Sequence, residues 1–434
     1  NKDLFKEKFN RYNLMTNLNY EGLSWLKLGT KISVNNSNKR YPPNDAQFRN
    51  SYPETGTIYQ TNVYSTQPYK DPNGKWTHEG SIGNPAQFIK EGGERTRKVN
   101  DVWLTGSATL TPIRNTTFNV DYSFNTKSTA EMSYLALIPF YNAKGDVSGY
   151  YGGSNPNRVA RTNYDDNYYV FNAYGDYANT FGKHYVKLMV GFNQENASYA
   201  WAQAERRNLI INDVPFMSLA SGERFASDGL NEFAVRGAFS RFNYSYDDKY
   251  LLEFNGRDDG TSRFSKNSRF GFFSPVSFGW RGSKEGFMSS TSSWLTDLKL
   301  RASYGTLGNQ LLVDASGNPI FYPYIATLNA SEITYLVNGE RPMSVLAPGL
   351  VSPTLTWETV SQMNFGIDLS LFTNKLNASF DLYHRDTRNM LTRSQTLPAV
   401  LAVTEPQANA ADMRTSGFDL NIEWRDKIGD VRYE

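Results

Sequence analysis

Residues 257–270, RDDGTSRFSKNSRF, bring two aspartates and a glycine together, which are residue types of a calcium-binding loop. An EF-hand loop with its glycine at Gly260 begins at Asn255. Its third and twelfth positions, which need carboxylates, are then Arg257 and Lys266. Since two cations stand where ligands are required, the pattern favours a polar turn over a metal site.

Other motifs with catalytic residue types are incomplete. GGSNP at Gly152 lacks the last glycine of a nucleophile elbow, and FGKH at Phe181 lacks the spacing of a phosphate loop. Adjacent carboxylates at 165–166 and 247–248 fall in predicted links, where turn residues are commoner than acid–base pairs. We therefore predict no catalytic residue, no metal, no cofactor and no enzymatic activity. The three histidines are isolated in sequence, namely His78, His184 and His384.

Composition favours strands and excludes one class of partner. The chain has 434 residues, of which 15% are aromatic, with 28 Tyr and 27 Phe. Lys plus Arg number 45 and Asp plus Glu 43, so the net charge of +2 is too small to indicate a nucleic-acid partner. Cysteine is absent, which removes disulfides and thiolate chemistry.

Alternation of apolar with polar or small residues recurs along the chain and predicts about fourteen strands. NFGIDLSLF sets Phe365, Ile367 and Leu369 against Asn364 and Asp368. No apolar run approaches the ~18 residues of a membrane helix, whereas a membrane strand needs only about 10 alternating residues. The fold class is therefore all-β.

Link lengths decide between all-β architectures. Short links are predicted at 21–24, 112–116, 179–183, 247–249, 282–297, 373–375 and 426–430. Long links alternate with them, at 37–94, 128–166, 194–231, 258–268, 308–356 and 389–414. Between antiparallel neighbours this alternation puts every long loop at one end of the sheet. A soluble Greek-key sandwich has no reason to sort loops in this way, whereas an antiparallel transmembrane β-barrel does, with long loops outside the cell.

Four details accompany the barrel prediction. Asp258, Asp259 and Gly260 become an extracellular connector. The apolar face of each strand faces lipid, and the irregular pattern at 233–246 predicts a bulge. Candidates for the aromatic girdles at the membrane surfaces are Trp280, Trp424, Tyr20 and Tyr12.

The same stretches resemble a known family in the right order along the chain. GRDDGTSRFSKNSRFGFFSPVSFGWR at 256–281 and LKLRASYGTLGNQ at 298–310 are similar to signatures of SusC/RagA-type TonB-dependent outer-membrane transporters of Bacteroidetes. Further similar segments lie at 357–391, 397–403 and 413–430. Together these segments are specific to the family, whereas any one of them alone would be weak support.

The resemblance implies a location, an architecture and partners. The chain is expected in the outer membrane, with residues 1–434 forming part of a barrel of about 22 strands and with no plug domain. It implies import of large nutrients, either glycans or peptides. A SusD-like surface lipoprotein is the expected partner outside, and the TonB–ExbB–ExbD complex energises transport through the plug region. The alternative is a barrel of this type that only holds surface lipoproteins, without transport.

Aromatic residues in the predicted long loops are candidate contacts for a glycan or peptide, because ring faces stack on both. Ordinary loop packing explains them equally well. The candidate ligand-binding residues are Tyr41, Trp76, Trp201, Tyr322 and Tyr324. Similar loop aromatics are Tyr150, Tyr151 and Phe321.

Overall fold

The computed structural model describes most of the chain. The described residues are 7–42, 70–77, 84–142, 144–150, 154–212, 214–314, 317–328, 330–345, 348–393, 397–398, 400 and 405–433.

Strands dominate the described residues. The strands are β1 (Lys8–Leu23), β2 (Leu26–Tyr41), β3 (Gly93–Leu110), β4 (Thr116–Leu135), β5 (Pro139–Tyr141), β6 (Val147–Tyr150), β7 (Arg158–Phe181), β8 (His184–Arg207), β9 (Arg224–Tyr246), β10 (Tyr250–Thr261), β11 (Phe270–Phe273), β12 (Val276–Arg281), β13 (Leu295–Asn309), β14 (Ala330–Glu332), β15 (Met343–Val345), β16 (Glu358–Leu371), β17 (Leu376–Arg393), β18 (Gln407–Trp424), β19 (Asp426–Ile428) and β20 (Val431–Tyr433). Within the described ranges one α-helix, α1, spans Pro85–Glu91, and 3₁₀ turns occur at Met217–Leu219, Gly282–Lys284 and Gly286–Thr291. No helix of the described part is long and apolar enough to cross a membrane.

A single antiparallel sheet organises the molecule. Its strand order is β1-β2-β3-β4-β7-β8-β9-β10-β12-β13-β16-β17-β18, and β11 pairs with β10 as a fourteenth strand. The predicted count of about fourteen is confirmed. Strands β11 and β12 continue one register along β10, interrupted at Pro275, which has no N–H to donate. The pairs β5–β6, β14–β15 and β19–β20 form separate two-stranded sheets.

Apolar positions of neighbouring strands lie in register on one face of the sheet. Leu300 of β13 pairs with Ile367 of β16, Ile367 with Phe380 of β17, and Phe380 with Leu420 of β18. This face is open: Leu420 exposes 58% of its surface and Phe272 64%. Because apolar side chains in such numbers are unstable against water, the face fits contact with lipid, as predicted.

The strands extend further towards the long loops than predicted. The loops predicted at 128–166 and 194–231 are wrong in their bounds, because β4 continues to Leu135, β7 begins at Arg158, β8 ends at Arg207 and β9 begins at Arg224. Strands β7 and β8 have 24 residues each, whereas about 10 cross a bilayer. Beyond the bilayer both faces of a strand meet water, so alternation fades while backbone pairing continues.

The prediction of a connector at 258–268 is wrong for its first three residues, Asp258, Asp259 and Gly260. They lie inside β10, where Asp259 pairs with Gly271 and with Gly237 on the other side. The Asp259 carboxylate accepts hydrogen bonds from Arg257 Nε at 2.6 and 2.7 Å, which satisfies its charge within the strand. Gly260 lies beneath the Phe270 ring, which comes within 2.5 Å of where a Cβ would stand.

The predicted bulge at 233–246 is also wrong. Strand β9 keeps one unbroken register with β8 and with β10 over this segment. The pattern is irregular because Phe239 occupies a polar-face position, where its ring packs 6.4 Å from that of Tyr174. The predicted short link at 426–430 contains β19 and the two residues, 429–430, that turn the chain into β20.

The buried hydrophobic core lies mainly in the long loops and the strand ends beside them. This follows from a sheet with one lipid-facing and one water-facing side, which leaves no apolar interior between strands. The first loop core comprises Tyr134, Ala136, Val159, Leu209 and Ala220. The second comprises Phe264, Phe273, Leu312, Leu355 and Trp357, and the third Phe88, Leu135 and Ile138.

Candidate functional site

The polar face of the sheet carries charged side chains joined across strands. Arg301 of β13 donates from Nε and Nη2 to Asp368 of β16, both at 2.8 Å, and from Nη2 to Asp381 of β17 at 3.0 Å. Gly366 leaves the space for this contact, since a Cβ there would lie 2.8 Å from Arg301 Cζ. The triad stands opposite the exposed apolar face, as expected for a water-filled interior.

Aromatic residues also lie on the polar face, and the sequence reading missed them. Trp103 of β3, which is 40% exposed, lies 6.0 Å from Tyr168 of β7 between ring centroids. The Tyr168 hydroxyl donates to Glu195 Oε2 at 2.9 Å. The position of Trp103 could have been predicted from the sequence, because it lies between the apolar-face residues Val102 and Leu104 and must therefore point to the opposite face.

A recess of about 400 Å³ is lined by residues of β8, β9, β10 and β13. On its polar side, Arg241 Nε donates to Asn255 Oδ1 at 2.6 Å. Arg257 lies 5.7 Å from the Phe239 ring centroid and pairs with Asp259. The recess therefore offers the Phe239 ring together with donors and acceptors, which suits a polar ligand that also has a flat or apolar surface.

Two of the predicted loop aromatics are buried. Tyr41 is 6% exposed and lies 5.6 Å below the Arg95 guanidinium. Trp76 is 7% exposed; its Nε1 donates to Glu91 Oε1 of α1 at 2.6 Å, and Lys70 stands 4.7 Å from its ring. Trp76 thus ties residue 76 of the β2–β3 loop to α1, whereas Tyr41 is not in a loop but ends β2 and packs on Arg95 of β3. Both present little ring surface to a ligand.

The other three predicted aromatics differ in setting. Trp201 is not in a loop, because β8 continues through it; its indole covers Gly229 of β9, with Nε1 2.5 Å from the position of a Cβ. Tyr322 and Tyr324 lie in the β13–β16 loop with ring centroids 6.3 Å apart. The structure thus brings Tyr322 to Tyr324 and places Trp201, Tyr41 and Trp76 on other elements.

A buried arginine ties the β13–β16 loop to the sheet. The Arg263 guanidinium stands 4.9 Å from the Phe233 ring centroid and 5.1 Å from that of Phe321, and Nη1 donates to the Ile320 carbonyl at 3.2 Å. Arg263 is 6% exposed, and this burial lowers its pKa. We call Arg263, Phe233 and Phe321 the arginine clamp; Tyr322 follows Phe321 directly in the chain.

Residues singled out for chemistry have structural partners. His184 Nδ1 lies 2.8 Å from the Tyr244 hydroxyl, and His384 Nδ1 2.8 Å from Ser416 Oγ. Asp166 pairs with Lys127 at 3.3 Å. Within the described ranges no three His, Cys, Asp or Glu residues could hold a metal ion. His78, Tyr151 and Gly152 lie outside the described residues.

Adjacent aspartates in the β9–β10 turn bind cations of neighbouring links. The carboxylate of Asp247 accepts a hydrogen bond from Lys183 at 2.9 Å, and that of Asp248 from Arg281 at 2.7 Å and from Lys284. The hydrogen bond from Lys183 lowers the pKa of Asp247, and that from Lys284 lowers the pKa of Asp248. Ion pairing explains this pair of carboxylates.

Sequence comparison matches the chain to a family and to longer relatives. Residues 91–433 match the family described as "TonB dependent receptor-like, beta-barrel". TonB-dependent receptor P3 of Formosa agariphila is 32% identical over 254 residues, covering 58% of this chain and 24% of the relative. TonB-dependent receptor SusC of Bacteroides thetaiotaomicron is 24% identical over 398 residues, covering 86% of this chain and 35% of SusC.

Structure comparison supports the fold. The RagAB peptide transporter superposes with a TM-score of 0.79 at 24% sequence identity, covering 98% of this chain and 45% of the matched chain. The chain thus spans less than half the length of each of these relatives.

Proposed function

Because the chain belongs to the TonB-dependent receptor-like β-barrel family, we propose that it is the barrel wall of an outer-membrane importer of large nutrients. The chain lies in the outer membrane, as proteins of this family do. The single observation that carries the proposal is the division of one long sheet into an exposed apolar face and a hydrogen-bonded polar face. Such a wall separates lipid from a water-filled passage.

We further assign all 434 residues to the barrel domain and place the plug, through which TonB, ExbB and ExbD would energise import, outside this chain. The polar face favours this assignment. Its charged groups, such as Arg301 with Asp368, are satisfied in pairs, while Trp103 remains 40% exposed towards the interior. A polar wall with open ring surface can contact both a plug and a passing cargo.

The cargo we propose is a glycan or a peptide. The recess beside Phe239 presents a guanidinium, a carboxylate and an amide around one ring, and Trp103 with Tyr168 adds a second aromatic surface. Sugar rings and peptide groups both combine a flat face with hydrogen-bonding edges. The similarity to a peptide transporter supports the peptide reading, whereas aromatic surface supports the glycan reading equally.

A SusD-like lipoprotein is the partner we propose at the long-loop end. Three loop cores and the arginine clamp make this end a packed surface, and packed, preorganised surfaces bind partners at lower entropic cost. The loop that the clamp holds also contains the half-buried Tyr322 and Tyr324 and the exposed β14–β15 hairpin. This surface suits a lid that docks on the barrel rim.

The test uses the full-length protein in its own outer membrane. Residues 330–345, which lie outside the three loop cores, are replaced by a short Gly–Ser linker, and uptake of labelled oligosaccharides and peptides is measured with and without TonB. We expect TonB-dependent uptake by the parent, and for the variant an assembled barrel with weaker lipoprotein co-purification. Uptake that persists without TonB contradicts the transport proposal. Lipoprotein binding without any uptake favours the scaffold role.

A further inference from the structure

The link between β12 and β13 differs from the other links at its end of the sheet. Its neighbours are tight turns, such as 247–249 and 372–375, whereas this link runs through 282–294 and contains the 3₁₀ turns Gly282–Lys284 and Gly286–Thr291. A link with its own secondary structure needs a surface to pack on, and its contacts show which surface this is.

Glu285, between the two 3₁₀ turns, is held by two residues of the apolar face and by Lys249 of the β9–β10 turn, whose Nζ donates to Oε2 at 3.4 Å. It accepts hydrogen bonds from the Tyr250 hydroxyl at 2.7 Å and from Trp280 Nε1 at 3.2 Å, both at Oε1. Tyr250 shares its face of β10 with Leu252, and Trp280 shares its face of β12 with Phe278. Tyr250 and Trp280 therefore direct their polar ends to Glu285 at the membrane border, and the link lies on the lipid side of the wall.

A second contact gives the same placement independently. A Cβ at Gly282 would lie 3.2 Å from Leu298 Cδ2 and 3.6 Å from Trp280 Cη2. Leu298 belongs to the apolar row of β13, opposite Leu369 of β16. The beginning of the link is thus packed against apolar-face side chains.

The outer side of the link carries exposed aromatic surface. Phe287 is 70% exposed and Trp294 49%. Lys284 and Arg281 are bound to Asp248, so the cationic side of the link is turned to the neighbouring turn. An exposed apolar tip, on a link that packs against the lipid-facing band and has a satisfied polar side, is the arrangement of a segment lying in a bilayer interface.

We propose that Gly282–Thr291 is an interfacial anchor, with Phe287 inserted at the boundary between headgroups and acyl chains of the leaflet at the short-link end. The Glu285 hydrogen bonds to Tyr250 and Trp280 hold it there. The anchor rests on the membrane location of the chain and not on transport. Its partner is phospholipid of that leaflet.

The test places single nitroxide spin labels on full-length protein, free of other cysteines, in phospholipid vesicles. The labelled sites are Phe287→Cys, the apolar-face reference Phe272→Cys and the loop reference Glu340→Cys. We expect the ratio of oxygen to nickel-chelate collisions at 287 to be close to that at 272 and several-fold above that at 340. A ratio equal to that at 340 shows that the link hangs in water and overturns the anchor, and exclusion of both reagents shows protein packing and overturns it too.

A second variant tests how the link is held. Glu285→Ala removes the shared acceptor of Tyr250 and Trp280 without changing Phe287, so nickel accessibility at 287 should rise several-fold while that at 272 stays unchanged. If accessibility at 287 does not change, Glu285 does not hold the anchor. Unchanged values at 272 also show that the barrel remains assembled.

Discussion

Arg301 and Asp368 form a two-bonded ion pair between neighbouring strands, at 2.8 Å for each bond, although they lie 67 residues apart in the chain. Each side chain is 36% exposed, so water screens the pair and its net contribution to stability is modest. The pair also anchors Asp381 on the next strand. Arg301 therefore connects three neighbouring strands, β13, β16 and β17, on the polar face.

Opposite faces should respond differently to substitution. We expect Asp368→Asn to reduce the free energy of unfolding by about 1 kcal/mol, because it weakens a solvent-accessible pair. The adjacent Leu369→Arg places a charge in lipid and should cost about 3 kcal/mol near the midplane. Urea unfolding of full-length protein in vesicles measures both. Equal tolerance at the two positions would contradict the assignment of faces.

Ring surface inside the barrel should contribute to cargo binding. Trp103→Ala is expected to weaken cargo binding by about 1 kcal/mol, roughly fivefold in Kd, because an exposed indole offers a stacking face. Trp424→Ala, on the apolar face, is the matched control and should leave Kd unchanged. Titration of full-length protein with labelled oligosaccharide or peptide gives both constants. If the two variants and the parent have the same Kd, Trp103 does not contribute to cargo binding.

The arginine clamp should control the β13–β16 loop. Arg263→Ala removes two cation–π contacts from a buried site, which together are worth about 2 kcal/mol of local stability. We expect faster proteolytic cleavage within 310–356, with the barrel still assembled. Arg341→Ala, at an exposed position of the same loop, serves as the control. Unchanged cleavage after loss of Arg263 would mean that the loop cores alone hold it.

Low pH should weaken the short-link end. Hydrogen bonds, chiefly from Tyr250 to Glu285 and from Lys284 to Asp248, lower the pKa of these carboxyls from ordinary values of 4.5 and 3.8. A carboxyl with a lowered folded-state pKa stabilises the fold above its unfolded pKa, and this contribution is lost as pH falls through the folded pKa. The Tm of the parent should therefore drop below pH 4.5, and that of Glu285→Gln less steeply. If the Tm values of the parent and of Glu285→Gln fall in parallel from pH 7 to pH 3, Glu285 does not contribute to the acid sensitivity.

Orientation can be tested directly on full-length protein free of other cysteines, since this chain contributes none. We expect Lys75→Cys, in the β2–β3 loop, to react with an impermeant thiol reagent on intact cells. Asn374→Cys, in the β16–β17 turn, should react only after the outer membrane is opened. Labelling of 374 but not 75 on intact cells would reverse the proposed orientation.

The sequence alone determined the all-β class, the assignment of apolar and polar faces and the alternation of short and long links. These are local properties, since successive side chains of a strand point to opposite faces and turn residues mark each reversal. Leu369 and Asp368 could be assigned to opposite faces from their parity. The location in the outer membrane followed from the same pattern together with family motifs.

Only the tertiary structure decided where strands end and which side chains meet. Asp258, Asp259 and Gly260 look like a turn in sequence, yet pairing with β9 and β11 keeps them in β10. The arginine clamp and the contact of Glu285 with Tyr250 join residues that are 30 or more positions apart. Such contacts depend on the register of each strand against its neighbours. That register is set by the pairing of all the strands in the sheet and cannot be deduced from any one segment.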